Sequence, residues 1–243
     1  MASSPGPIAL AGSGEFLPVM EPVDRALLQG RPPRAAFLPT AAALEGDARV
    51  AYWLDLADRH YRSMEVEPVP VPVRTRDDAD DPGMAALLED VGLVYLSGGD
   101  PHHLAATLRD TAVWRAIVDA WRSGAALAGC SAGAMALTAG APALRPSGRR
   151  DEHVAEGVAN GLGVVEGLCV IPHFDLMERW REGAVGHFQA WQPAGTALVG
   201  IDEDTALVGA GSEWRVEGKG AAWVVEADRR RRVGPGEALH LPG

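Results

Sequence analysis

The sequence predicts an α/β protein: a mostly parallel sheet flanked by helices and extended by β-hairpins near the C-terminus. Three observations carry that expectation. Short apolar runs alternate with helix-spaced stretches through the first half, the pattern of parallel βα units. Those runs are apolar throughout rather than alternating, as strands covered on both faces are. The second half then trades helical spacing for short strands joined by turns. At 243 residues the chain is read as one domain, 1–243, because α/β sheets often reach this size as single units.

The strand-like runs of the first half are "PIALAG" (7–12), "RAAFLPTA" (34–41), "MEVEPVPV" (64–71), "VGLVYLSGG" (91–99) and "GAALAGCS" (124–131). Between them, "VMEPVDRALLQG", "ARVAYWLDLADRHYRS" and "DPGMAALLEDV" place apolar residues at helical spacing. Residues 101–124 hold two helices with a break near Asp110-Thr111. Residues 138–160 are rich in Pro, Gly and Arg and read as loop. Then "VVEGLCVIPHF", "GTALVGIDEDTALVGAG", "EWRVEG", "AAWVVEAD" and "ALHL" read as short strands. The basic block "DRRRR" (228–232) reads as a solvated hairpin turn.

Composition narrows the function classes. A net charge of −11 argues against nucleic acid as the partner, since phosphate binding needs a basic field. No apolar run approaches the ~20 residues that cross a bilayer, and the start lacks a basic leader with a long apolar run. A cytoplasmic protein that meets no membrane is expected. Cys130 and Cys169 make no disulfide framework and read as buried free thiols. Lys219 is the single lysine, in a Gly-rich turn, which disfavours a Walker loop, a Schiff base or a Ser-Lys dyad.

The chemistry-bearing stretch is "LAGCSAGAMAL" (127–137). Gly129-Cys130-Ser131-Ala132-Gly133 fits the G-x-S-x-G nucleophile elbow, a sharp strand-to-helix turn that raises the serine above the sheet. It also sets Ser131 and Ala132 at a helix N-terminus, where free N–H groups favour negative charge. A serine needs a base. Of seven histidines, His173 ranks first because "LCVIPHF" delivers it at a strand's carboxyl end; His103 and His102, after "LSGGD", follow. Adjacent histidines diverge and no HExxH or Cys cluster accompanies them, so no metal site is expected. Gly98-Gly99 in "YLSGGD" reads either as a flexible βα turn or as an oxyanion donor, the Gly99 N–H joining that of Ala132 where the absent side chain lets backbone approach substrate. In "GIDEDTAL" (200–207), Asp202 or Glu203 either supports the site or binds a substrate amine, or the stretch is a capped polar turn.

Taken in order, "LSGGD", "GCSAGAM", "IPHFD" and "GIDEDTAL" make the chain, over roughly residues 90 to 210, resemble the peptidase E and cyanophycinase family of serine peptidases. The resemblance implies a fold like that of class I glutamine amidotransferases, flavodoxin-like in its layering, with no cofactor. It implies Ser131 as nucleophile, His173 as base, and Gly99 with Ala132 as oxyanion donors. The acid falls, in such proteins, between the serine and histidine motifs, which makes Glu152 the first choice, then Asp151; Glu156 shares that loop. Asp175 matches the His-x-acid spacing of amidotransferases and, were the strand to run on, would share a face with His173. Asp100-Pro101 stands where the family often has Asn-Gln or Asp-Gln, so a substrate-holding glutamine is missing. Asp100, His103 and Arg179 are the expected substrate contacts, Arg179 because a guanidinium suits an acidic group.

The expected activity is hydrolysis of small peptides, dipeptides with N-terminal aspartate among them, through a Ser-His-acid triad and an acyl-enzyme. A homodimer is compatible with the resemblance. Two other readings stay open: an esterase of the α/β-hydrolase type with His240 as its late histidine, and a non-catalytic binding domain that kept the elbow.

Overall fold

A computed structural model describes residues 4–143 and 157–242. Its first half runs β1 (Ile8–Ala11), α1 (Glu21–Leu28), β2 (Arg34–Leu38), a 3-10 segment (Thr40–Glu45), α2 (Asp47–Ser63) and β3 (Glu67–Pro70). There follow α3 (Arg76–Asp80), α4 (Pro82–Ala86), β4 (Leu93–Leu96), α5 (Pro101–Leu108), α6 (Ala112–Arg122), β5 (Ala126–Cys130) and α7 (Ala132–Leu137). The second half contains β6 (Leu168–Ile171), α8 (Phe174–Trp180), α9 (Ala184–Trp191), β7 (Ala197–Ile201) and β8 (Thr205–Ala210). It closes with β9 (Glu213–Gly218), β10 (Ala222–Val225), β11 (Arg230–Val233) and β12 (Ala238–His240).

The five apolar runs of the first half all become strands, and they lie parallel in the order β1-β5-β4-β2-β3. Their uniform apolarity is explained by two cores. Ile8, Leu10, Val94, Leu96 and Leu127 face one, while Ala9, Phe37, Leu93, Tyr95 and Ala128 face the other. The break between α5 and α6 falls at the expected place: Asp110 has φ 62° and the Thr111 hydroxyl caps α6 by accepting from the Trp114 N–H.

The C-terminal strands divide between two sheets. β8, β9 and β12 add to β1 in antiparallel fashion and complete an eight-stranded sheet. β10 and β11 instead join β7 and β6 in a separate four-stranded sheet, in which β6 and β7 are parallel. Leu168, Val170 and Val199 of the small sheet share one core with Leu137 and Leu207, so the two sheets are packed together. The arginine block is a correction: Arg230, Arg231 and Arg232 lie in β11, paired with β10, and only the residues before them turn. Exposed arginines on an edge strand keep it from pairing with other chains. Among the described residues no helix is long and apolar enough to cross a membrane.

Candidate active site

Because β1, β4 and β5 are parallel, the segments that leave their carboxyl ends gather at one edge, where crevices of open α/β sheets lie. β8 runs antiparallel to β1, so the β7–β8 turn arrives at the same edge. A cleft of about 430 Å³ forms there, with Glu15, Gly98, Gly99, Ser131, His173 and Glu203 in its walls. A larger cleft, about 860 Å³, lies at the amino ends of β2, β4 and β5, and among the described residues no histidine or cysteine lines it.

Ser131 has φ 51° and ψ −110°, a strained conformation for a non-glycine residue. Its N–H donates to the Ala11 carbonyl at 2.9 Å, and its own carbonyl accepts from the Met135 N–H at 3.0 Å. The flanking glycines answer to space. A Cβ on Gly129 would sit 2.5 Å from the Gly133 carbonyl carbon, and one on Gly133 would sit 2.2 Å from the Leu96 oxygen. The elbow is thus pressed against β4 at the point where it reverses.

His173 follows β6 as the cap residue of α8, in the left-handed region at φ 52° and ψ 38°. Its Nε2 lies 3.0 Å from Ser131 Oγ and its Nδ1 lies 3.0 Å from Glu203 Oε1. A neutral imidazole satisfies both contacts when Nδ1–H donates to the carboxylate and Nε2 accepts from the serine hydroxyl. The Trp180 ring stands 5.1 Å from the imidazole, centroid to centroid. Although β6 belongs to the second sheet, its tip meets that of β5.

Glu203 is held by its neighbours. Its N–H donates to Asp175 Oδ1 at 2.9 Å, and its carbonyl accepts from the Thr205 hydroxyl at 2.9 Å. The carboxylate of Asp175 therefore grips the turn that carries Glu203. Asp202 is buried between strands, where Oδ2 accepts from the Ala221 N–H and Oδ1 from the Trp223 Nε1–H, both at 2.9 Å. Burial raises its carboxyl above the ordinary value, and those two donors offset part of the rise. Asp151, Glu152 and Glu156 lie outside the described residues.

Gly99 takes φ 143°, and a Cβ there would lie 2.3 Å from the Ala41 carbonyl oxygen. Gly98 N–H donates to Glu15 Oε1 and Asp100 N–H to Ala41 O. Among the described residues, the Gly99 N–H between them and the Ala132 N–H at the start of α7 meet no acceptor.

The expected substrate contacts fall elsewhere. Asp100 caps α5, its Oδ1 accepting from the His102 and His103 N–H groups at 2.9 Å each. His103 Nε2 pairs with the Arg74 carbonyl and His102 Nε2 with that of Pro142. Arg179 sits exposed in the last turn of α8, and none of Asp100, His103 and Arg179 lines the Ser131 cleft. His240 pairs with Glu213 at 2.7 Å, but both side chains are exposed and outside that cleft. In their place the cleft has Arg49, Tyr52, Trp53 and Leu56 of α2, residues whose i, i+3, i+4, i+7 spacing marks one helix face. The Arg49 guanidinium stands 5.2 Å from the Tyr52 ring centroid and 5.0 Å from that of Trp53. No group of three or more His, Cys, Asp or Glu suited to a metal ion occurs among the described residues.

The molecule is thus a mainly parallel α/β protein with a serine, an imidazole and a carboxylate in hydrogen-bonded sequence at the sheet's carboxyl edge. It belongs to peptidase family S51, whose family model matches residues 8–216, a span wider than the motifs alone. Cyanophycinases of Trichormus variabilis and of a Nostoc species are each 33% identical to it over 148 residues, 60% of this chain and 49% of theirs. The chain spans about half the length of those curated relatives. The crystal structure of a peptidase from an acI-B1 Actinobacterium superposes with a TM-score of 0.87 at 34% identity, covering 99% of this chain and 98% of that one. A putative peptidase E protein from Listeria monocytogenes shares the fold at a TM-score of 0.58 and 15% identity, covering 95% of this chain and 99% of that one.

Proposed function

We infer that this chain is a serine-type peptidase of small peptides, with Ser131 as nucleophile, His173 as general base and Glu203 as the acid that orients it. The single observation behind this reading is the imidazole bridging Ser131 Oγ and Glu203 Oε1 at 3.0 Å on each side. His173 Nε2 takes the hydroxyl proton as Oγ bonds to the peptide carbonyl carbon. The negative oxygen is received by the N–H groups of Gly99 and Ala132. Glu203 keeps Nδ1 protonated and favours the imidazolium that forms. The C–N bond then breaks as Nε2–H protonates the leaving amine, and water activated by the same imidazole frees the acyl group. No metal or organic cofactor enters this sequence.

The cleft's size suits a few residues of peptide rather than a folded chain. Arg49, paired with Glu45 at 3.4 Å, lines the cleft; exchanging that partner for a substrate carboxylate would keep dipeptides with N-terminal aspartate among the first to try. Digestion of a dipeptide library by wild type and by Ser131→Ala tests the reading. Cleavage by the wild type alone supports it, and equal cleavage by both removes Ser131 as nucleophile.

A further inference from the structure

We propose that Glu15 binds the free α-ammonium group of the peptide that Ser131 attacks, an inference that rests on the peptidase reading above. Glu15 follows β1, is 7% exposed, and lines the Ser131 cleft. The position of a Cβ on Gly98 would be 3.0 Å from Glu15 Oε1 and 3.3 Å from Ser131 Cβ. Carboxylate and nucleophile therefore flank one glycine.

Among the described residues, the charge of Glu15 has no counter-charge in its immediate contacts. Oε1 accepts from the Gly98 N–H at 3.1 Å and Oε2 from the Cys130 S–H at 2.8 Å. Neither donor is a cation, and each carboxylate oxygen keeps a second lone pair. The other charged groups of the cleft among the described residues are engaged: Glu203 with His173, Asp204 with Lys219, and Arg49 with Glu45. A buried carboxylate without a cation is costly, and one beside the oxyanion site opposes the charge that develops there. Substrate bearing a cation close to its reacting carbonyl removes both penalties. In a peptide with a free N-terminus the ammonium nitrogen is two bonds from the first carbonyl carbon. The ligand class is thus an unblocked peptide, attacked at its first carbonyl.

The test uses the full chain carrying Ser131→Ala, dialysed to equilibrium against a dipeptide library and against the same library N-acetylated. Retained peptides are read by mass spectrometry. Free-amine members should be retained at least about tenfold more strongly than their acetylated counterparts. Adding Glu15→Gln, which keeps the shape and an acceptor for Gly98, should abolish that preference. Equal retention of the two libraries overturns the proposal, and so does a preference that survives Glu15→Gln. Should the amide variant not fold, Glu15→Asp takes its place: it keeps the charge, falls short by a methylene, and should cut the preference, whereas an unchanged preference overturns the idea. Fluorophosphonate labelling of Ser131 in the wild type reports separately on the peptidase reading.

Discussion

Glu203 Oε1 lies 3.0 Å from His173 Nδ1, although the two residues are separated by thirty positions and by two helices. The contact arises because β6 and β7 pair in parallel, so the segments that leave their tips emerge side by side. Asp175, two residues beyond His173, fastens the far end of the contact by accepting the Glu203 N–H.

Glu203→Gln is expected to lower kcat by about 10²- to 10⁴-fold, with KM much less affected, because an amide no longer fixes the imidazole tautomer or favours its cation. Steady-state kinetics on a peptide found in the library digest measure this. Glu152→Gln, made in parallel, decides which acid serves, since the variant with the larger loss in kcat identifies it.

Gly133→Ala should destabilise the fold by about 3 kcal/mol or more, because the new methyl meets the Leu96 carbonyl oxygen, which belongs to a central strand and cannot yield. Thermal unfolding reads the loss. A melting temperature within a degree of wild type contradicts the packing described for the elbow.

Asp202→Asn should cost about 1–3 kcal/mol, since one amide oxygen cannot serve both the Ala221 N–H and the Trp223 Nε1–H. Urea denaturation at neutral pH measures it. The same variant tests how firmly the small sheet is tied together.

Asp24 and His60 form a buried pair at 2.8 Å, and the Phe16 ring stands 6.1 Å from that of His60, centroid to centroid. Burial, the largest influence, raises the Asp24 carboxyl above its ordinary 3.8, although His60 pulls it back in part. A raised folded-state value adds stability that is complete below the unfolded value and fades as pH rises through the folded one. The stability difference between wild type and Asp24→Asn should therefore shift in favour of the variant between pH 4 and pH 7. Melting curves at both values read the shift, and a constant difference contradicts it.

Both thiols should resist a thiol reagent in the native protein and react only after denaturation, since Cys130 and Cys169 are buried. At Cys130, burial and then the charge of Glu15 push the thiol well up, so it stays protonated and unreactive. Counting reactive thiols with and without denaturant settles the point.

The parallel half of the fold was legible because each buried strand is a short apolar run closed by Gly, Pro or a capping residue. Its elbow was legible because the G-x-S-x-G pattern follows an apolar strand, and Gly129 and Gly133 sit where a Cβ would meet backbone atoms. Sheet membership was not. "LCVIPHF" and "AAWVVEAD" are apolar runs like the others, and nothing in them says that they pair with β7 rather than with the main sheet. The acid next to His173 depended on that pairing. "GIDEDTAL" stood out through its three carboxylates, but which of them faces an imidazole follows only from the turn that Asp175 and Thr205 shape. Arg49, Tyr52 and Trp53 carried a readable helical stripe, yet a stripe does not reveal that it overlooks a serine from another layer.

The chain crosses from the small sheet to the large one at the turn bearing Glu203, while the serine rides on one layer and the imidazole on the other. The three groups thus act as a gauge of how the layers seat against each other. Any sliding between the layers would part the donors and acceptors before it disturbed a single strand.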